Sequence, residues 1–177
     1  MFISIKQLEQ ERLTFQEEFP AGTIDFRARD FRQVAPLRVQ GTAEMLGNEI
    51  RLAGRLSTRV EMVCARCLEP VAQEVAAGFD LVYRPVSAIS REEELSLRGE
   101  DLEVGFYVGQ GLFLADALAE QVYLTLPMKV VCREECRGLC PHCGANLNRE
   151  RCRCSTRSVD PRLAPLARIR AELENHE

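Results

Sequence analysis

Tryptophan is absent from this sequence, histidine occurs twice, and lysine makes up only two of the 23 basic residues. With His142 and His176 alone, the chain cannot build a multi-histidine metal or acid–base centre, and no H-E-x-x-H pattern occurs. A glycine-rich phosphate loop and a nucleophile–base pair are also missing. No apolar run approaches the roughly 18 residues that would span a bilayer. The opening stretch, MFISIKQLEQERL, lacks both the apolar core and the small-residue cleavage site of a signal peptide. A cytoplasmic location is therefore expected, or an organelle lumen after loss of a targeting peptide. Structural disulfides are rare in such compartments, which leaves metal binding, redox chemistry or catalysis for the eight cysteines.

What is present has the balance of a soluble globular protein: 46% hydrophobic and 28% charged residues in a chain of 177. That length suffices for one core and a small appendage. The net charge of −4 gives no global attraction to nucleic acid or anionic membrane. The charge is uneven, however. After residue 128 there are ten basic and seven acidic side chains, so the acidic surplus lies in the first 128 residues. The preference for arginine over lysine runs through both parts and reads first as a compositional habit.

Hydrophobic periodicity predicts a β-rich body. Residues 1–6 alternate like a short strand, and residues 14–34 read as irregular, punctuated by Pro20 and Gly22. LRVQGTAEML and EIRLAGRLSTRVEMV read as strands joined at Gly47-Asn48, a hairpin signal. In the second of these, Ile50, Leu52, Leu56, Val60 and Met62 share one face, and Arg51, Arg55, Arg59 and Glu61 share the other. CARC, residues 64–67, falls where this strand hands over to the next, VAQEVAAGFDLVY. Residues 84–101 read as an exposed charged loop, within which Ser90 and Glu93 could form a capping box. DLEVGFYV reads as a further strand. GLFLADALAEQVYLTL is the best helix, with Leu114, Leu118, Val122 and Leu126 on one stripe and Pro127 as its stop. Asp160-Pro161 should start a C-terminal helix whose Leu163, Leu166, Ile169 and Leu173 share a face.

The cysteines form pairs. Cys140 and Cys143, in CPHCG, have the spacing of a metal knuckle, with Pro141 stiffening it and Gly144 free to adopt positive φ and turn backbone N–H groups toward sulfur. Cys152 and Cys154 follow closely, and these four predict a tetrathiolate zinc site, iron being the runner-up metal. Cys64/Cys67 and Cys132/Cys136 are each half a site. They make a second one if the halves meet in space; in the competing arrangement Cys136 joins the C-terminal site and free thiols remain. His142 reads as the variable residue of the knuckle. A thioredoxin-like role for CARC is disfavoured, since such motifs open helices. Arg137, Arg149, Arg151, Arg153 and Arg157 decorate the cysteine region and are candidate contacts to an RNA backbone, although part of this charge balances the thiolates. No stacking aromatics lie nearby.

CARCLEP between two strands, the helix ending in LTLPMKVVC, and then GLCPHCGANLN with a trailing CRC and DPRLAPL resemble the YceD-like family, whose members are described as large ribosomal RNA subunit accumulation proteins of bacteria and plastids. The resemblance covers roughly residues 37–168. It implies a non-enzymatic role in synthesis, processing or stability of 23S rRNA and in large-subunit assembly. Its implied partners are that RNA or its precursor, a large-subunit ribosomal protein, or both, with no membrane and no small-molecule substrate. The alternatives are a general zinc-ribbon interaction module and a thiol or zinc enzyme. The expected architecture is α+β: a mainly antiparallel body over residues 1–130 with one packed helix, a cysteine-rich zinc module over 131–157, and a helical tail over 158–177.

Overall fold

The structure, a computed structural model, describes residues 1–88, 104–154, 161–163 and 166. In chain order its elements are β1 (Phe2–Ser4), α1 (Ile5–Leu8), β2 (Leu13–Phe19), β3 (Phe31–Gln33), β4 (Leu37–Leu46), β5 (Glu49–Val63), β6 (Pro70–Pro85), β7 (Val104–Tyr107), β8 (Gly111–Phe113) and α2 (Leu114–Thr125). Short 3-10 turns occupy Val86–Ala88 and Pro161–Leu163. The expected capping box, Arg157 and most of the expected tail helix lie outside the described residues. Among the described residues, no helix is long and apolar enough to cross a membrane.

The main sheet runs β2-β4-β5-β6-β7, and β3 pairs with the far end of β5. β5 and β6 form its spine: they pair from Ile50↔Tyr83 to Val63↔Pro70, so the longest hairpin of the fold ends at the CARC loop. The turn between β4 and β5 is Gly47-Asn48, closed by the Leu46↔Glu49 pair. The alternation read from β5 is realised. Ile50, Leu52, Leu56 and Val60 are buried, and Met62 packs against them. On the opposite face Arg51 pairs with Asp80 across the strands, Arg59 with Glu74 and Arg32 with Glu61. α2 lies against β6 and covers the apolar face of the sheet through Leu114, Ala117, Leu118 and Val122. It stops at Leu126, which is extended (ψ 138) as a residue before proline must be.

Two expectations change and one gains a detail. The stretch read as irregular contains β2 and β3. In β2, Leu13, Phe15 and Phe19 do alternate, but Glu17 interrupts the pattern and Pro20 ends it. Seven residues pair with β4, where an edge strand needs only one half-buried face. The body is mainly antiparallel, as expected, with one exception: β7 pairs parallel to β6, from Val82↔Val104 to Pro85↔Tyr107. A parallel neighbour requires a crossover, and the long stretch between β6 and β7 supplies the length for it. Finally, α1 is a second, four-residue helix, placed where strand alternation was expected to continue.

Candidate metal centres

The first cluster forms where the β5–β6 hairpin meets the chain leaving α2. At the hairpin tip, Cys64 N–H donates to the Glu69 carbonyl (2.9 Å) and Leu68 N–H to the Cys64 carbonyl (3.0 Å). After α2 the chain runs beside this tip, and Ala65 N–H donates to the Val130 carbonyl (2.9 Å). Cys132 thereby faces Cys67, with their sulfurs 3.7 Å apart, and Cys136 faces Cys64 at 3.9 Å. All four Sγ atoms lie within 4.8 Å of one another. Sulfurs about 2.3 Å from a tetrahedral ion stand about 3.8 Å apart, so the four thiols fit a zinc-sized cation. The two half-sites therefore meet, and Cys136 belongs to this cluster rather than to the C-terminal one.

The second cluster is Cys140, Cys143, Cys152 and Cys154, whose sulfurs meet the same distance limit. Its knuckle repeats the hydrogen bonding of the first: Cys140 N–H donates to the Ala145 carbonyl (2.8 Å) and Gly144 N–H to the Cys140 carbonyl (2.9 Å). Gly144 sits at φ 73 and its counterpart Leu68 at φ 61. The N–H of Gly144 serves the knuckle's own backbone; those of His142 and Cys143 are the ones that reach the Cys140 sulfur. His142 is exposed and contributes only its backbone.

The electrostatics of both clusters are those of thiols competing for protons. The backbone N–H of Cys67 is the main cause that lowers Cys64 from the ordinary thiol value to about 6, with the N–H groups of Arg66 and Cys132 helping. Loss of hydration among its neighbours pushes Cys132 up to about 12. In the second cluster Cys140 is lowered to about 6, chiefly by the Cys143 N–H, while hydrogen bonding with Cys143 pushes Cys154 up to about 12. Within each cluster one thiol is ready to ionise and another resists. A divalent cation removes that conflict by neutralising several thiolates at once.

Around the sulfurs lie residues that cysteine spacing did not reveal. The Arg66 side chain donates to the Glu134 carbonyl (2.8 Å) and the Cys136 carbonyl (3.0 Å), and its own carbonyl accepts from Leu139 N–H (3.1 Å). The CARC tip thus clamps the segment that carries Cys136. Glu69 accepts from Asn146 (3.1 Å) and Arg149 (2.9 Å). Asn148 donates to the Cys136 sulfur (3.3 Å). The only sequence signal for these amides was the Asn-x-Asn spacing in GANLN, between the two cysteine pairs. Of the candidate RNA contacts, Arg149 is ion-paired to Glu69, whereas Arg137, Arg151 and Arg153 are exposed and make no side-chain ion pair among the described residues.

This arrangement uses all eight cysteines in two groups of four that could each hold a metal ion. The family profile described as large ribosomal RNA subunit accumulation protein YceD matches residues 52–170, from near the start of β5 past both clusters. The chain belongs to the YceD family. An uncharacterized protein of Mycobacterium tuberculosis is 34% identical over 134 residues, covering 75% of this chain and 59% of that protein. The chloroplastic large ribosomal RNA subunit accumulation protein YCED homolog 1 of Arabidopsis thaliana is 22% identical over 84% of this chain and 53% of its own length. An uncharacterized Bacillus subtilis protein is 21% identical over 93% of this YceD chain and 92% of its own length. The chain spans between half and three fifths of the mycobacterial and plant relatives it matches. No solved structure matches.

Leu68 gives a test of the shared knuckle geometry. A left-handed conformation costs a non-glycine residue roughly 1–2 kcal/mol, and the Leu68 side chain is 63% exposed, so it has little packing to lose. Glycine adds some freedom to the unfolded chain, which offsets part of the gain. Leu68→Gly should raise the unfolding free energy by about 1 kcal/mol. The readout is a higher urea midpoint at unchanged slope; a lower midpoint would show that the side chain packs more than its exposure indicates.

Proposed function

We propose that this YceD chain is a non-enzymatic, zinc-bound accessory factor in the accumulation of large-subunit ribosomal RNA, acting in the cytoplasm on 23S rRNA, its precursor or a large-subunit ribosomal protein. The observation that carries this reading is the family match over residues 52–170, together with the names of the plant relatives. The chemistry of the donors agrees with it. Soft sulfur ligands suit zinc, and four of them fill its coordination shell, leaving no position for an activated water or a substrate. Closed sites of this kind stabilise a fold and shape a surface. On that surface, among the described candidate arginines, Arg137, Arg151 and Arg153 are free of side-chain ion pairs and open to phosphates, Arg149 being held by Glu69.

Elemental analysis of the purified chain should return two zinc ions per molecule; a single ion would remove one cluster from the reading. Charge reversal of Arg137, Arg151 and Arg153 to Glu should weaken binding to large-subunit RNA fragments. It should also flatten the dependence of log K on log salt by about 0.7–0.9 for each phosphate that is no longer neutralised. Arg149→Ala should leave that slope unchanged, and a slope that falls equally for Arg149 would count against its assignment to Glu69. The function itself is tested by depleting the protein in its own cells and measuring the ratio of 23S to 16S rRNA with precursor ends mapped. A selective fall in 23S supports the reading and shows the stalled step. An unchanged ratio leaves an interaction module with another task.

A further inference from the structure

The second cluster reaches into the first through one side chain. Asn148 lies between Cys143 and Cys152, so closing the second cluster around an ion closes the loop that carries it. Its carboxamide has four hydrogen-bonding positions and uses all of them. Oδ1 accepts from Arg137 N–H (2.8 Å) and from the Arg133 guanidinium (2.9 Å). Nδ2 donates to Asn146 Oδ1 (3.0 Å) and to Cys136 Sγ (3.3 Å). These partners leave one orientation. A flipped amide would set its oxygen against a sulfur and a carbonyl oxygen, and its N–H groups against two donors.

Cys136 is only 4% exposed, so little water can replace the amide if it withdraws. Two further bonds hold the same loop on the first knuckle, since Asn146 and Arg149 both reach Glu69, two residues past Cys67. Leu147 N–H also donates to the Gly138 carbonyl (2.9 Å). The loop is therefore seated against the first cluster at both of its halves, Cys136 on one side and the CARC tip on the other.

We propose that Asn148 couples the two clusters: metal bound by Cys140, Cys143, Cys152 and Cys154 orders the loop, and the loop's amide on Cys136 strengthens the hold of Cys64, Cys67, Cys132 and Cys136 on their own metal. The coupling rests on the reading of both clusters as zinc sites. Asn148 acts as a positioning residue, not a ligand. Hydrogen bonds from outer groups to ligating atoms change metal affinity by about 10- to 100-fold. The linkage is reciprocal, so metal in the first cluster favours the second by the same factor.

The test uses the full chain and begins with its metal content. The chain is then loaded with cadmium, and each cluster is followed by its own NMR resonance while a chelator in excess extracts the metal. The resonance lost in the Cys143→Ser/Cys152→Ser variant belongs to the second cluster. Asn148→Asp keeps the acceptor for Arg137 and Arg133 but points a carboxylate oxygen at the sulfur; Asn148→Ala removes the amide without adding charge. Both should shift the first-cluster resonance and speed loss of its metal by about tenfold or more, with the second-cluster signal in place. The Cys143→Ser/Cys152→Ser variant should release first-cluster metal at a similarly raised rate, and adding Asn148→Ala to it should change little further. Hydrogen exchange in β5 and β6 verifies that each variant remains folded. Two ions per chain with unchanged first-cluster release in both Asn148 variants overturns the coupling alone, as do effects that simply add. A chain that holds fewer than two ions overturns the two-site reading and the coupling with it.

Discussion

The convergence of four sulfurs from two distant segments is the constraint on which the rest of this structure depends. Cys64 and Cys67 sit at the tip of the longest hairpin, and Cys132 and Cys136 follow the main helix, 65 or more residues later. Bringing them together fixes where β5 and β6 end, where the chain leaves α2, and where the C-terminal knuckle can begin. Hydrogen bonds alone would not compel this meeting. The thiols do not ionise alike: backbone N–H donors, that of Cys67 first, lower Cys64, whereas loss of hydration, with hydrogen bonds from its neighbours, raises Cys132. The arrangement makes physical sense as a ligand set, in which a cation converts mutual repulsion into a shared attraction.

That constraint also explains the polar residues around it. A buried thiolate cluster needs N–H donors, and the fold supplies them from three places: the CARC tip through Arg66, the chain at Cys132, and the C-terminal loop through Asn148. The side chain of Arg66 spends its charge on the Glu134 and Cys136 carbonyls, and Arg149 spends its own on Glu69. Part of the cationic decoration of this region is therefore internal structure. Among the described residues, Arg137, Arg151 and Arg153 remain exposed and make no side-chain ion pair.

The two knuckles illustrate how one backbone solution is reached from different sequences. CPHCG uses glycine where the chain turns left-handed, while CARCL places leucine in the same conformation. The hairpin makes the second case possible. β5 and β6 are paired up to Val63↔Pro70, and this continuous ladder holds Leu68 in a conformation that it would not choose alone.

By itself the sequence determined the elements whose signal is local and periodic. The alternation in β5, the hairpin at Gly47-Asn48, the stripe and proline stop of α2, and the CPHCG knuckle each depend on residues within a few positions of one another. The family was also legible, because GLCPHCGANLN, CRC and CARC are local strings. Tertiary structure alone decided what depends on distance. It chose which cysteines share a site, since spacing left Cys136 two possible homes. It made β2 a strand through pairing with β4 despite Glu17, and set β7 parallel to β6. It also divided the arginines between internal bonds and solvent, because a cation's partner, such as Glu69 for Arg149, lies 80 residues away in the chain. No periodicity encodes such a pairing; it arises only when packing brings the two segments together.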